Sequence, residues 1–298
     1  MKQFSGFESL PTGKANDNIT KACLVLEGGA FRGVYTSGVC DALMEAAINC
    51  ETVIGVSAGA MIGACCVSGD IGRAARVNLG HRHDPEYIGP KTLLRDKGVI
   101  GFKYALVDSM EEYPFDMERF KSYKQRFIAV ATEVETAKPH YFENGKCKNI
   151  FKAIKASASM QFFSRPVDVN GCLCLDGGPA DHFPFQWAID EGYDKIILVR
   201  TRDRTFRYKS EIMNFAYKFY KKYPEYADLV AHYRFTYNDW CERAEEAERE
   251  GKLFMISPEQ PITVSRLESD MEKLGDLYYT GYNQAKEIMS ELKLYLGM

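Results

Sequence analysis

Residues 52–60 constrain the fold of this chain more than any other stretch. A β-branched run leads into the pattern Gly55-x-Ser57-x-Gly59, and small residues follow. This order predicts a strand, a sharp turn and a helix, because a serine at such a turn takes strained backbone angles that only small neighbours tolerate. The turn would lift the Ser57 hydroxyl off the end of a sheet, beside the positive end of the helix dipole. A tight βα turn with an idle serine is the alternative interpretation.

A second strand–turn–helix unit precedes this one. Residues 22–26 form a compact apolar run that predicts a buried strand, and apolar residues recur at helical spacing over residues 34–47. The glycine-rich turn between them reads Glu27-Gly28-Gly29-Ala30-Phe31-Arg32-Gly33.

This turn admits two interpretations. A dinucleotide-binding fingerprint would need an acidic residue about 20 positions later, at the end of the next strand. Glu51 stands before that strand instead, so nucleotide binding is disfavoured. The alternative is a nest of backbone N–H groups at a helix N-terminus, which binds anions. Beside Ser57, such a nest would be an oxyanion hole.

A hairpin later in the chain ends in a third candidate, Asp176. Two alternating runs, residues 167–169 and 172–175, are joined by Asn170-Gly171, which is a strong hairpin signal. An aspartate at the end of the second run is positioned to face an active site. A turn-forming Asp-Gly whose side chain bonds its own backbone is the alternative.

The remaining chain predicts an α/β protein of one large domain, or such a domain with an added helical part. We expect an irregular cap over residues 81–125. This cap either shapes the substrate site or is a surface connection without a function. Further strands are expected at residues 126–132, 140–142, 195–200 and 253–256. Helices are expected at residues 69–79, 150–160, 183–191, within 210–251 and within 266–296.

Composition excludes several classes of function. A formal net charge of −3 over 298 residues argues against a general nucleic-acid binder. The nine cysteines lack a C-x-x-C pair and a regular framework, which is typical of reduced thiols in a cytoplasmic protein. No ligand set for a metal is evident, and His81-x-His83 is expected to be a solvated pair in a loop.

The first 20 residues are polar and predict a loose N-terminal arm without the apolar core of a secretory signal. No window approaches the roughly 20 apolar residues of a membrane-spanning helix. Any contact with a membrane is therefore expected to be peripheral. The aromatic residues interleaved with lysines over residues 215–226 predict packed helices with exposed tyrosine tips, and a membrane-facing surface is the alternative.

Together and in this order, the three motifs resemble the patatin-like phospholipase family. That family is marked by a Gly-Gly-Gly-x-Arg/Lys-Gly oxyanion turn, a Gly-x-Ser-x-Gly elbow and a late Asp-Gly-Gly/Ala. The resemblance covers residues 22–201 and includes the small-residue helix that runs into Ser159, Ser164, Arg165 and Pro166. It implies a three-layer α/β/α fold with a central, mostly parallel sheet. The implied division is an arm at 1–20, a catalytic domain at 21–205 and a helical region at 206–298 packed on it.

The resemblance also implies a mechanism, which is acyl transfer through a Ser–Asp dyad. Ser57 would attack an ester carbonyl and Asp176 would take its proton, provided that desolvation raises the basicity of the carboxylate. No metal or cofactor is required. The remaining motif residues would form the oxyanion turn (Gly28, Gly29, Ala30, Arg32, Gly33) or support the elbow and the aspartate (Gly55, Gly59, Gly177, Gly178).

The chain differs from the family motif at one position, and two alternative functions stay open. Ala30 replaces a glycine of the oxyanion turn, which costs about 1 kcal/mol if the position needs a positive φ. A catalytically silent lipid-binding protein is therefore one rival. The other is an esterase with a Ser–His–Asp triad, for which only His182 and His232 follow Asp176. Phospholipids, lysophospholipids, monoacylglycerols and small acyl esters all suit the predicted site, and the oligomeric state stays open.

Overall fold

A computed structural model describes residues 3–89, 92, 100–106 and 108–298 of the chain. The strands in chain order are β1 (Gly13–Lys14), β2 (Thr20–Leu26), β3 (Cys50–Val56), β4 (Asp70–Ile71), β5 (Arg126–Glu133), β6 (Pro139–Glu143), β7 (Val167–Val169), β8 (Cys172–Asp176), β9 (Ile196–Val199) and β10 (Phe254–Ile256). The helices are α1 (Gly33–Glu45), α2 (Ala58–Ser68), α3 (Arg73–His81), α4 (Phe102–Leu106), α5 (Met117–Lys121), α6 (Ile150–Ser157), α7 (Phe185–Asp190), α8 (Phe215–Phe219), α9 (Pro224–Ala231), α10 (Tyr233–Arg249), α11 (Met271–Glu287) and α12 (Met289–Leu296).

The central sheet has the order β10-β9-β2-β3-β5-β8-β7, and β6 pairs with β5 as well. The run from β10 to β5 is parallel throughout, whereas β6, β7 and β8 add antiparallel pairs. The prediction of an α/β fold with a mostly parallel central sheet is confirmed.

Alternate side chains of β2 enter two different helical layers. Leu24 and Leu26 belong to a core cluster shared with α1, α2 and α11. Cys23 and Val25 point to the opposite cluster, which contains residues of α7 and α10. Because successive strand residues face opposite sides of a sheet, a fully apolar strand needs cover on both faces. The result is three layers, helices–sheet–helices.

The C-terminal helix α11 packs on α1 at very short range. A Cβ atom added to Gly38 of α1 would lie 2.2 Å from the carbonyl oxygen of Tyr278, and one added to Gly281 would lie 2.2 Å from that of Tyr35. The two glycines thus let the backbones of the helices touch. Residues 271–287 are in this way an integral part of the layer that carries the N-terminal motifs.

The N-terminal arm, predicted to be loose, is packed on the domain. Phe4, Phe7 and Leu10 are buried, and the ring of Phe4 fills the space beside Gly275 of α11. The strand β1 pairs with β4. A short 3₁₀ turn, Phe7–Ser9, lies between Phe4 and Leu10, and the arm buries all three apolar side chains.

Two further expectations change in detail. The helix predicted over residues 69–79 begins at Arg73, because Gly69 and Gly72 take left-handed φ values of 71° and 79° around the short strand β4. The predicted cap over residues 81–125 falls partly on residues 90–91, 93–99 and 107, which lie outside the described residues. No helix in the described part of the chain is long and apolar enough to cross a membrane.

Candidate active site

Ser57 stands at a strained turn between β3 and α2. Its φ of 56° and ψ of −122° lie outside the regions that residues with a side chain favour, at a cost of about 1–3 kcal/mol. Gly55 and Gly59 allow the turn: a Cβ at Gly55 would lie 2.3 Å from the Gly59 oxygen, and one at Gly59 would lie 2.4 Å from the Leu26 oxygen. The predicted strand–turn–helix elbow is present.

Strand topology brings Asp176 to Ser57. Strand β3 runs parallel to β5 and ends with Val56 opposite Val130. Strand β8 is antiparallel to β5 and ends with Asp176 opposite Ala131, the next residue along. Since β6 occupies the other edge of β5, the ends of β3 and β8 meet head to head on a single edge. Ser57, the residue after Val56, therefore lies next to Asp176, the last residue of β8.

The Asp176 carboxyl group is buried and interacts with the Ser57 hydroxyl. Burial raises its pKa to about 6, and the Gly178 N–H, the Ser57 hydroxyl and the charge of Arg266 oppose this rise. The Gly178 N–H donates to its Oδ1 at 2.9 Å. At neutral pH the group is thus largely ionised, and it is a stronger base than an ordinary aspartate.

The backbone around Asp176 is anchored on three sides. The Thr132 hydroxyl donates to its carbonyl oxygen at 2.8 Å, and its own N–H donates to the Ser159 carbonyl at 2.9 Å. A Cβ at Gly177 would lie 2.3 Å from the Val130 oxygen, so the turn after Asp176 lies tightly on β5. These contacts position the carboxylate.

The glycine-rich turn after β2 lies directly against Ser57. A Cβ at Gly28 would be 2.9 Å from the Cβ of Ser57. The N–H groups of Gly28, Gly29 and Ala30 donate no hydrogen bond to any residue that the structure describes. These three N–H groups are free to donate hydrogen bonds to an oxyanion that forms when a serine attacks a carbonyl group.

Ala30, the departure from the family pattern, has a φ of 50°. The position is therefore one that favours glycine, as the sequence comparison with the motif anticipated. Its N–H is nevertheless present, and the 3₁₀ turn Ala30–Arg32 leads into α1. Gly33 begins α1, where an added Cβ would lie 3.0 Å from that of Ala58.

Ser157 is a site residue that the sequence reasoning did not single out. Its hydroxyl, at the end of α6, accepts the N–H of Ser57 at 2.9 Å. This bond satisfies the amide at the elbow and ties α6 to it. The run of small residues in α6 was the signal that could have identified it, because only small side chains allow such an approach.

His182 lies in the same cavity but does not form a triad. Its Nε2 pairs with the Thr236 hydroxyl at 2.9 Å, and its Nδ1 has no partner among the described residues. Burial and the charge of Arg266 lower its pKa to about 3, so the ring is neutral and weakly basic. His232 is half-exposed on the helical region and does not line the cavity.

Two cavities meet at Ser57. One is polar and contains Gly28, Gly29, Arg32, Asp176 and His182. The C-terminal region contributes Tyr208, Tyr233, Tyr237 and Arg266 to its wall, and none of these was predicted from the sequence, which carries no motif there.

The second cavity is mostly apolar. Ala30, Ser57 and Met160 line both cavities, so Ser57 lies at their junction. The rest of its wall is formed by residues of several elements: Phe31, Gly33, Val34, Ala58, Met61, Ile62, Asn78, Tyr87, Ile100, Ala158 and Leu267. Among the described residues no group of His, Cys, Asp and Glu is placed to hold a metal ion.

The fold and the elbow define an α/β protein with a serine at the carboxyl edge of its sheet. The Patatin-like phospholipase family model matches residues 24–189, more than half of the chain, so the chain belongs to that family. A second model, a domain of unknown function (DUF6363), matches residues 223–297. Family membership supports a hydrolase that acts on lipid esters.

Individual proteins are similar to this chain over most of its length. The uncharacterized protein YjjU of Escherichia coli is 26% identical over 88% of this chain and 75% of its own length. The lysophospholipase nte1 of Aspergillus terreus is 25% identical over 91% of this chain, which spans only 18% of that protein. The crystal structure of VipD from Legionella pneumophila has a similar fold, with a TM-score of 0.51, 14% identity, and coverage of 98% of this chain and 71% of VipD.

Proposed function

We propose that this protein is a lipid acyl hydrolase of the phospholipase A, lysophospholipase or carboxylesterase type, with Ser57 and Asp176 as its catalytic dyad. The observation that carries the proposal is the Ser57 hydroxyl facing a desolvated carboxylate, between free backbone amides and an apolar cavity. The lysophospholipase relative is consistent with this chemistry.

In the first half-reaction, the Ser57 oxygen attacks the ester carbonyl carbon while Asp176 accepts the hydroxyl proton. The resulting oxyanion accepts hydrogen bonds from the N–H groups of Gly28, Gly29 and Ala30. When the intermediate collapses, the C–O bond to the alcohol breaks and the alcohol takes the proton from Asp176. The product of this step is an acyl ester of Ser57.

In the second half-reaction, water attacks the acyl-serine and gives its proton to Asp176. Collapse of this intermediate releases the carboxylic acid and returns a proton to Ser57. The elevated pKa of Asp176, about 6, suits both directions of proton transfer near neutral pH. The acyl chain would lie in the apolar cavity, among side chains such as Val34, Ile62 and Leu267.

We further propose that the protein is cytoplasmic and contacts anionic lipid surfaces peripherally. Phe163, Phe215 and Phe219 are each more than half exposed. Phe162 joins them, with ring centroids 4.7 Å from Phe215 and 5.2 Å from Phe219, and it follows the cavity residues 160–161 in the chain.

Exposed lysines on the same segment, Lys218, Lys221 and Lys222, complement an anionic bilayer. Sedimentation with vesicles of phosphatidylglycerol and phosphatidylcholine would test this contact. We expect Phe215→Ser with Phe219→Ser to reduce binding at least fivefold, whereas Phe235→Ser, an exposed aromatic on α10, should not. Equal binding of all three proteins would contradict the surface.

The dyad is tested by labelling with a fluorophosphonate probe and by hydrolysis of short acyl esters. We expect Ser57→Ala to lose both label and turnover, and Asp176→Asn to lose at least 100-fold in kcat. Ser122→Ala and Asp168→Asn, both exposed and remote from the cavity, serve as controls.

The outcomes distinguish the dyad from the two alternatives, a silent lipid-binding protein and an esterase with a triad. An unlabelled, inactive parent would favour a silent lipid-binding protein, in keeping with the alanine at position 30. A triad would be indicated if His182→Gln abolished turnover as completely as Ser57→Ala, and near-parent activity of Asp176→Asn would exclude the dyad.

A further inference from the structure

The hydroxyl of Thr201 bonds the backbone of the oxyanion turn. It donates to the Gly28 carbonyl oxygen at 3.0 Å, and Thr201 itself is fully buried just after the end of β9. We propose that Thr201 is a positioning residue, which orients the Gly28–Gly29 peptide so that the Gly29 N–H faces the oxyanion. This inference rests on the proposed ester hydrolysis and adds a residue on which its rate depends, although that residue touches no substrate.

The geometry of the peptide group carries the inference. The carbonyl and the N–H of a planar trans peptide point in opposite directions. The Gly28–Gly29 peptide is trans, so a carbonyl held against Thr201 directs the Gly29 N–H to the other side of the turn. Gly29 and Ser57 line the polar cavity, whereas Thr201 lines neither cavity. The hydroxyl therefore acts on the turn from behind, on the side away from the cavities.

Two consecutive glycines make this peptide easy to rotate. Glycine accepts a wide range of backbone angles, so neither residue by itself fixes the plane between them. The next peptide is fixed locally, since the Gly29 carbonyl accepts the Arg32 N–H at 3.2 Å in the 3₁₀ turn. For the Gly28 carbonyl, Thr201 is the only hydrogen-bond donor among the residues that the structure describes. The orientation of the first peptide thus depends on a distant side chain.

Close packing holds Thr201 against the turn. A Cβ atom added to Gly29 would lie 2.6 Å from the Thr201 Oγ1, so only a glycine lets the backbone approach this hydroxyl. Strand pairing brings the two segments together, because β2 and β9 are parallel neighbours with Leu26 opposite Val199. The residues that follow both strands therefore meet at the same edge of the sheet.

Glu27 holds the backbone of Thr201 in place. Its Oε2 accepts the Thr201 N–H at 2.5 Å, and its Oε1 accepts the hydroxyl of Tyr237 in α10 at 2.7 Å. Glu27 and Tyr237 are each only 3% exposed. Hydrogen bonds to a carboxylate are stronger than those between neutral groups. A chain of hydrogen bonds therefore runs from α10 through Glu27 and Thr201 to the oxyanion turn.

Substitutions of similar shape test the hydroxyl. Thr201→Val removes the donor and keeps the shape of the side chain, whereas Thr201→Ser keeps the donor. Because an oxyanion-hole donor is worth about 10²–10³ in kcat, we expect kcat/KM for para-nitrophenyl butyrate to fall at least tenfold in the first variant. The second should lose less than threefold. Thr52→Val removes a buried hydroxyl near the start of β3 and, as the matched control, should keep parent activity.

A pair of ketones separates the orientation of the amide from a general change of the cavity. With octyl trifluoromethyl ketone, the Ser57 oxygen bonds the carbonyl carbon, its proton passes to Asp176, and the ketone oxygen becomes an oxyanion without a leaving group. Octyl methyl ketone is far less electrophilic and binds as the ketone. We expect Thr201→Val to weaken inhibition by the trifluoromethyl ketone at least tenfold and by the methyl ketone less than twofold. Equal weakening of both would refute the orienting role.

The contribution of α10 is tested with Tyr237→Phe. We expect this variant to lower kcat/KM about threefold, and the double variant with Thr201→Val to be no slower than Thr201→Val alone, since both changes act through one peptide. Effects that multiply would exclude Tyr237 from this chain of hydrogen bonds.

Failure of this inference differs from failure of the enzyme proposal. An active parent with an equally active Thr201→Val variant would overturn the positioning role alone. A parent that neither hydrolyses the ester nor binds the trifluoromethyl ketone more tightly than the methyl ketone would overturn the proposed hydrolysis and, with it, the role of Thr201.

Discussion

At the scale of single residues, the site concentrates groups that folding by itself would not favour. Ser57 and Ala30 both have positive φ values, and Asp176 is a carboxylate removed from water. The two strained backbone conformations and the buried carboxylate each lower the stability of the fold, as is usual for a pre-organised active site. Their conformations persist because neighbouring backbone, such as that of Gly28 and Gly59, leaves no room for relaxation.

The first prediction concerns the pH dependence of activity. Asp176 must be deprotonated to accept the Ser57 proton, and burial raises its pKa to about 6. We therefore expect kcat/KM to be constant above pH 7 and to fall about tenfold per pH unit below 6. Initial rates with a neutral ester between pH 4.5 and 8 would measure this. A profile that is flat down to pH 5 would contradict the role of Asp176.

The second prediction concerns Ala30. Ala30 has a positive φ, and glycine at this position would relieve a strain of about 1–2 kcal/mol in the folded state. Glycine also makes the unfolded chain more flexible, which lowers stability by about 1 kcal/mol. The first effect offsets the second. We expect Ala30→Gly to be at least as stable as the parent in urea unfolding. As a control, Ala244→Gly in the middle of α10 should lose about 1 kcal/mol or more. An equal loss in both variants would mean that Ala30 is not strained.

At the scale of elements, two arrangements define the site. The head-to-head ends of β3 and β8 on one edge of β5 bring Ser57 and Asp176 together. The packing of α11 on α1 attaches the C-terminal region to the helix that follows the oxyanion turn. The Arg266 carbonyl, just before α11, accepts the Phe31 N–H at 3.2 Å, so the C-terminal region also holds the turn itself.

The third prediction concerns the contact between α1 and α11. A methyl group at Gly38 would lie 2.2 Å from the Tyr278 oxygen and 2.7 Å from the Tyr282 nitrogen, so the helices would have to separate. We expect Gly38→Ala to lower the free energy of unfolding by about 3 kcal/mol. Gly89→Ala, where the nearest atom is 3.6 Å away, should change it by less than about 0.5 kcal/mol. Similar values for the two variants would show that the helices are not in close contact.

At the scale of the whole molecule, buried carboxyl groups couple stability to pH. Burial raises the pKa of Asp41 and of Asp181 to about 7, and that of Asp176 to about 6. The folded state therefore binds protons more tightly than the unfolded chain at these groups. Their contribution to stability grows as pH falls through these values and is complete below the unfolded pKa near 4. His182 opposes them, because its pKa is lowered to about 3 and only the unfolded chain protonates it near pH 6.

The fourth prediction follows from this balance. Three carboxyl groups outweigh one histidine, so we expect the free energy of unfolding to rise by a few kcal/mol from pH 8 to pH 5. Urea unfolding at several pH values would measure it. Asp181→Asn should flatten the curve, whereas Asp168→Asn, at an exposed position, should not. Stability that decreases steadily below pH 8 would contradict the burial of these acids.

The local order of elements could be predicted from the sequence because it depends on neighbouring residues. The apolar run of β2, the glycines around Ser57 and the Asn170-Gly171 hairpin each specify a conformation within a few positions. The packed N-terminal arm could not be predicted, since the partner of Phe4 lies near Gly275, more than 200 residues away. Arg266 and Tyr208 were missing from the predicted site for the same reason, because both lie far from Ser57 in the sequence.

The sequence by itself determined the class of fold, the family and the three motifs, because each motif contains the small residues that its own turn requires. Only the tertiary structure decided what surrounds Ser57. The pairing of β3 and β8 along β5 brought Asp176 beside it, and burial made that carboxylate a stronger base. The folding of the C-terminal region over the cavity added Arg266, Tyr208, Tyr233 and Tyr237 to its wall. No local pattern predicts these residues, because the surroundings of a site arise only when distant segments meet.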